Sequence, residues 1–163
     1  MDGVIATASG AAQANYGVYT DSSAPLLTGL TAEATGGASS YAVYNASAAP
    51  VLDNLTANAA AATNNYGVYN ETSAVTIEGC VIAALGGTTN YGIYNAGATG
   101  SYAVSANHCQ ITAGTATVRN DAGFAMRVGA SQLAGGAAAG GGSLLCAGVY
   151  DENYVFGAGP ACP

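Results

Sequence analysis

The chain of 163 residues sets 11 tyrosines against two arginines, nine carboxylates and a single histidine, and many of the tyrosines recur at a fixed interval. Tyr19, Tyr44, Tyr69 and Tyr94 lie 25 residues apart. A phenol offers an apolar ring and a hydroxyl, so a row of them can hold a sugar or a partner surface. The same row can stack on itself and stiffen a sheet. These four are the candidate binding residues. Most of the acids lie in different repeat columns, but Asp53 and Glu78 share one on adjacent coils, in line with Thr28. Such a pair could move a proton or hold Ca²⁺, but no basic side chain completes it. His108 stands beside Cys109, as in a thiol–imidazole dyad, yet Cys109 falls on a core position and a buried thiol is a poor nucleophile. With no C-x-x-C and one histidine, the signal for a metal site is weak. The sequence therefore designates no catalytic residue, no metal ligand and no cofactor.

Cations are the scarcest resource. Arg119 and Arg127 are the only ones in a chain of net charge -7. A phosphate-binding stripe cannot be built from two arginines, which excludes nucleic acid as a partner. Attachment to an anionic membrane surface is excluded on the same ground. No apolar run approaches the roughly 20 residues of a spanning helix, so no membrane insertion is expected. Four cysteines, an even number, suggest an oxidising compartment. Cys146 and Cys162 bracket the final segment, where a bridge would pin a fraying end. Cys80 and Cys109 become neighbours if four residues are inserted between their repeats, close enough to form a second bridge.

The elements that position these residues follow from the repeat. Asn15-Tyr16-Gly17-Val18-Tyr19 recurs as Ser40-Tyr41-Ala42-Val43-Tyr44, Asn65-Tyr66-Gly67-Val68-Tyr69 and Asn90-Tyr91-Gly92-Ile93-Tyr94, with starts at 15, 40, 65 and 90. The other half repeats too, as Pro25-Leu26-Leu27-Thr28-Gly29-Leu30-Thr31-Ala32, Pro50-Val51-Leu52-Asp53-Asn54-Leu55-Thr56-Ala57 and Val75-Thr76-Ile77-Glu78-Gly79-Cys80-Val81-Ile82. Short alternating runs separated by Gly, Asn or Ser-Ala-Pro are strands, not helices. Two or three such strands of three to five residues within 25 residues suit one coil of a β-solenoid. The composition agrees, because Ala, Gly, Ser and Thr fill only a narrow interior to normal density. Counting the Val/Ile position at 18, 43, 68, 93, 118 and 149 gives about six coils. The expected organisation is one all-β domain over 1–163: a partial coil over 1–14, central coils over 15–142 that are regular to about 95, and a disulfide-pinned coil over 143–163.

Stacking at about 4.8 Å turns each repeat position into a ladder. Leu27, Leu52 and Ile77 form one apolar ladder; Leu30, Leu55 and Cys80 a second; Ala32, Ala57 and Ile82 a third; Val18, Val43, Val68, Ile93 and Val118 a fourth. Two residues beyond the valines, Thr20, Asn45, Asn70, Asn95 and Asn120 should point inward and bond one to the next. That reading makes the N-x-S/T sequons at Asn45 and Asn70 accidental; at Asn54 glycosylation stays open. Tyr19, Tyr44, Tyr69 and Tyr94 should face outward, and the direction of Tyr16, Tyr41, Tyr66 and Tyr91 is not fixed by the pattern.

The unit Asn-Tyr-Gly-Val-Tyr-Asn-x-x-Ser, followed by an apolar strand and Gly-Gly, resembles the right-handed parallel β-helix repeats of bacterial secreted and surface proteins with pectate-lyase-like architecture. The likeness is strong over 15–95 and weaker over 96–163, where Arg127–Leu133 and Cys146–Glu152 are similar to the closing segments of such arrays. It implies a right-handed parallel β-helix. It does not carry over an activity, because enzymes of this architecture gather acids with basic residues on one face and here Arg119 and Arg127 are the only cations.

Three functions are compatible with these features. The first is an extracellular structural solenoid, either a rigid stalk or a subunit that stacks head to tail on itself through Val4 and Ile5 at one end and Leu145 and Val149 at the other. Exposed strand edges without Lys or Pro favour that contact. The second is an adhesin or carbohydrate-binding module that uses the outward tyrosines on surface glycans. The third, remote, is a polysaccharide-active enzyme.

Overall fold

The computed structural model describes residues 2–97, 100–157 and 161–163. The chain folds as an all-β solenoid of about five turns with a repeat of about 25 residues, and no helix occurs among the described residues. The first coil holds β1 (Ile5–Ser9), β2 (Ala14–Asp21) and β3 (Leu26–Thr28). The second holds β4 (Thr31–Thr35), β5 (Ser39–Ala46) and β6 (Val51–Asp53). The third holds β7 (Thr56–Ala60), β8 (Asn64–Glu71) and β9 (Thr76–Glu78). The fourth holds β10 (Val81–Leu85), β11 (Thr89–Ala96) and β12 (Tyr102–Asn107). The fifth holds β13 (Gln110–Ala113), β14 (Ala116–Asn120) and β15 (Phe124–Gly129), followed by β16 (Gln132–Gly135) and β17 (Ser143–Ala147).

Three parallel sheets run up the molecule, in the orders β1-β4-β7-β10-β13-β16, β2-β5-β8-β11-β14 and β3-β6-β9-β12-β15-β17. The register joins equivalent repeat positions, Val18 to Val43 to Val68 to Ile93 to Val118 among them. The four apolar ladders are interior: Leu52, Leu55, Ile77, Ile82 and Ile93 are fully buried. Four extra residues between β11 and β12 leave the register intact, because Asn107 pairs with Glu78 and Gln110 with Val81.

The valine ladder has five rungs, not six. Val149 is buried, but Tyr150 beside it pairs with Gln132 and so extends the sheet of β16 instead of the sheet of β14. A three-residue echo of the repeat carries no information about which corner precedes it. The edge of β14 is covered instead by Ala139, which bridges to Arg119.

The polar ladder forms as the spacing predicts. Thr20 Oγ1 donates to Asn45 Oδ1 at 2.6 Å, and the amides of Asn45, Asn70 and Asn95 each donate to the next Oδ1 at 2.8, 2.7 and 2.9 Å. Asn120 closes the series by donating to the Ser143 and Phe124 carbonyls. Asn45 and Asn70 are therefore buried with their amides engaged, while Asn54 lies exposed at a corner. A second polar device goes beyond the expected ladder. Asn15, Asn65 and Asn90 each accept an amide N–H three or four residues upstream and donate to the carbonyl of the same residue, clamping the turn before the strand.

Left-handed residues turn the corners at recurring repeat positions. Gly10, Gly36, Ala61 and Gly86 have φ between 59 and 86°; Ser22, Ser47 and Thr72 have φ of 48 to 49°; Gly29, Asn54, Gly79, His108 and Ala130 have φ between 45 and 62°. A Cβ in this region costs roughly 1–2 kcal/mol, so Ala61 and Ala130 are strained where their glycine column-mates are not. Ala61→Gly and Ala130→Gly should each raise stability by about 0.5–1 kcal/mol. Urea midpoints that stay put or fall would contradict the corner geometry.

Candidate functional site

Both tyrosine columns share one face of the second sheet. Strict alternation would put Tyr16 and Tyr19 on opposite faces. A bend intervenes, in which two successive residues, such as Ala42-Val43 in β5 or Gly67-Val68 in β8, both turn inward. The pairing register passes over the first of them. The space is tight there: a Cβ on Gly67 would collide with Ile82 and meet the Gly92 carbonyl at 2.7 Å. Glycine inside a strand marks such bends, and it is the signal in the sequence that fixes the direction of Tyr16, Tyr41, Tyr66 and Tyr91.

The rings then stack rung upon rung. Tyr16–Tyr41 and Tyr41–Tyr66 have centroids 5.0 and 4.7 Å apart with interplanar angles of 8 and 6°. Tyr19–Tyr44 and Tyr44–Tyr69 lie 5.2 and 4.9 Å apart, again stacked. Between the columns the contacts are edge-on, as at Tyr41–Tyr44, 5.2 Å and 78°. Each such pair contributes about 0.5–1.5 kcal/mol beyond the area it buries. The inner rungs are half-buried by this packing, whereas Tyr19 is 52% exposed.

The column following the polar ladder reads Asp21, Ala46, Glu71, Ala96, Asp121, with acid and alanine alternating. The Tyr44 hydroxyl donates to Glu71 Oε2 at 2.6 Å, and the Tyr94 hydroxyl to Asp121 Oδ2 at 3.0 Å. Tyr19 and Tyr69 have alanine at the equivalent place. Arg119 Nε donates to the other oxygen of Asp121 at 3.0 Å. To reach Asp121, Tyr94 leaves its column: it stands at 82° to Tyr69 and lies more nearly parallel to Tyr66. The break opens a groove of about 640 Å³ lined by Tyr69, Glu71, Thr72, Tyr94, Arg119 and Asp121. All of these but Tyr69 and Tyr94 lie outside the expected binding residues; the signal for them is the alternation in the acid column.

The remaining candidates are dispersed. Asp53 and Glu78 are rung neighbours, and Glu78 is bonded to His108 at 2.7 Å on the surface. Cys80 is bridged to Cys109 and Cys146 to Cys162, so Cys109 carries no thiol. The two disulfides weakly suggest an oxidising environment. Of the expected assembly residues, Ile5 and Leu145 are exposed on β1 and β17, Val149 is buried, and Val4 packs against the core. Among the described residues no three metal-ligating side chains gather. Comparison with protein-family models, curated proteins and solved structures returned no match.

Burial raises the pKa of Tyr41, Tyr44, Tyr69 and Tyr94, with the Glu71 and Asp121 carboxylates adding to the rise at Tyr44 and Tyr94. Tyr66 is pushed up to about 12 by burial first and then by Tyr41, Tyr94 and Tyr91. The unfolded chain loses these protons near the ordinary value of 10.0. The contribution of Tyr66 is thus complete below pH 10.0 and is lost as pH rises from there through about 12. In a spectrophotometric titration, tyrosinate absorbance of the folded protein should lag that of the urea-unfolded chain, and its last phenols should ionise together with loss of structure. Superimposable curves would contradict the stacked face.

Proposed function

We propose that the chain is a non-catalytic structural β-solenoid, a rigid rod displayed outside the cell or on its surface, which adds further copies of itself at its first coil. The observation that carries this reading is the register: three hydrogen-bonded sheets and the polar ladder pass through consecutive coils on the same positions, and the tyrosine stacks through the first three. A body so built resists bending because every rung is tied to the next on all sides. The resemblance to secreted β-helix proteins, together with the two disulfides, supports the extracellular setting.

Self-association would use the outer edges of β1 and β2, which pair with no described residue. The Val4 carbonyl accepts from Thr31. Backbone groups alternate in direction along a parallel strand, so Ile5 and Thr7 present theirs outward. The opposite end offers β17 with exposed Leu145, although Phe156 folds back on Tyr150 beside it. Such a contact consists of backbone bonds and apolar ladders, so about 1 M salt should leave it intact. Light scattering should show concentration-dependent growth, and Thr7→Pro, which removes an outward donor at an edge, should stop it without unfolding the chain. A wild-type chain that stays monomeric at high concentration overturns the association.

A second reading is favoured by one feature, the groove where the tyrosine stack breaks. There the chain would act as an adhesin or carbohydrate-binding module, taking a sugar ring against Tyr69. A glycan array should then show binding that Tyr44→Ala and Tyr69→Ala abolish in folded protein. An array without binding removes this reading.

A further inference from the structure

The tyrosine face has a chemical property that neither a rod nor a glycan site requires. Aromatic rings about 5 Å apart at their centroids exchange electrons readily. Here every ring of the first three rungs has such neighbours: Tyr19–Tyr44 at 5.2 Å, Tyr16–Tyr44 at 5.4 Å and Tyr41–Tyr69 at 5.3 Å. Outside the ladder the competing phenols are Tyr102, Tyr150 and Tyr154, the last 74% exposed and stacked on Tyr150 at 5.3 Å. There is no Trp, and no free cysteine occurs among the described residues. Met126 is buried, its sulfur against Asn95. Among the described residues tyrosine is left as the most readily oxidised accessible side chain.

The rungs are not equivalent toward oxidation. A phenol that loses an electron becomes a strong acid, and the neutral radical is stable only once the proton has gone. Tyr44 already donates its hydroxyl hydrogen to Glu71 Oε2 at 2.6 Å. Tyr19 has Ala46 in the equivalent place and must lose its proton to water. Tyr94 has Asp121, but the Arg119 guanidinium sits on the same carboxylate and its positive charge opposes a hole there.

We propose that the double tyrosine ladder is a one-electron relay: an oxidising equivalent delivered to exposed Tyr16 or Tyr19 passes ring to ring and comes to rest on Tyr44, with its proton on Glu71. The oxidant is of the one-electron class, such as a peroxidase ferryl centre or an oxidised metal complex, and is reduced by one electron. The first phenol releases its proton to water and becomes a neutral radical. It then takes one electron from Tyr44 and a proton from water, restoring its O–H bond. The Tyr44 O–H bond breaks, its proton forms the carboxylic acid of Glu71, and Tyr44 is left as the neutral phenoxyl radical. Withdrawing the radical from the exposed rings keeps two chains from coupling through their ortho carbons as dityrosine. The relay needs neither self-association nor a glycan.

The test uses the intact chain with flash-generated tris(bipyridine)ruthenium(III), persulfate as electron acceptor, and freeze-quench electron paramagnetic resonance. With Tyr102, Tyr150 and Tyr154 replaced by phenylalanine in every chain compared, the otherwise wild-type ladder should show a phenoxyl signal with the lowered g value of a hydrogen-bonded oxygen, and Tyr44→Phe should remove it. Glu71→Gln, nearly isosteric and still a hydrogen-bond acceptor but not a base, should cut that signal several-fold and raise dityrosine fluorescence several-fold. Tyr16→Phe combined with Tyr19→Phe should slow its appearance several-fold. Circular dichroism identifies the variants that keep the fold. Identical spectra and dityrosine yields in wild type and Glu71→Gln overturn the resting site, and an unchanged rate in the double phenylalanine variant overturns the relay.

Discussion

Every side chain in a stacked parallel coil must tolerate a copy of itself, or of its nearest substitute, about 4.8 Å above it. The rest of the molecule follows from that one requirement. Apolar residues meet it by contact, which gives the buried columns of Leu, Val, Ile and Ala. Asparagine meets it because its amide both donates and accepts. Tyrosine meets it by stacking ring on ring. A carboxylate meets it poorly, since two anions at this spacing repel; where Asp53 and Glu78 do stack, Glu78 turns to His108. The acid column accordingly places Ala46 and Ala96 between Asp21, Glu71 and Asp121. The near absence of lysine and arginine has the same root, for a ladder of cations would be as costly as a ladder of anions.

The interior responds to the constraint by exchanging size between facing columns. Gly67 and Gly92 sit against Ile82 and Ile111, where a Cβ would collide. The same register sets Ala57 opposite Ala42, one step larger on one side and smaller on the other. Narrow coils thus keep a constant width although no single column keeps a constant residue. Glycine in the strand serves this packing and the bend together, and the bend is what brings both tyrosine columns to one face.

Much of this is legible in the amino-acid sequence, and the reason is the repeat. A spacing held over four units states which residues are vertical neighbours, so the apolar ladders, the Asn45–Asn120 ladder and the Cys80–Cys109 pairing can be read from arithmetic. Direction within a strand is less legible. Parity counting fails wherever two successive residues turn inward, which hides the orientation of Tyr16 and the clamping role of Asn15, Asn65 and Asn90. The ends are least legible. Val149 and Val4 resemble repeat positions, but their surroundings depend on how the chain leaves the last regular coil or enters the first, and no neighbouring unit fixes that. The groove at Tyr69 is invisible to the pattern because it arises from one ring, Tyr94, turning toward one acid.

The polar ladder also has a sense. Every rung from Thr20 upward donates to the rung above, and the last, Asn120, gives its hydrogens to main-chain carbonyls instead of to another side chain. The series is therefore closed at its upper end by a feature that cannot be repeated within the ladder. A duplicated coil placed among the Asn45, Asn70 and Asn95 rungs receives one bond and passes one on, leaving both neighbours satisfied. A coil appended above Asn120 would have to displace Ser143 and Phe124 from that amide. Gene duplication can lengthen such a rod from its middle at almost no energetic cost, whereas growth past the terminator demands a new one.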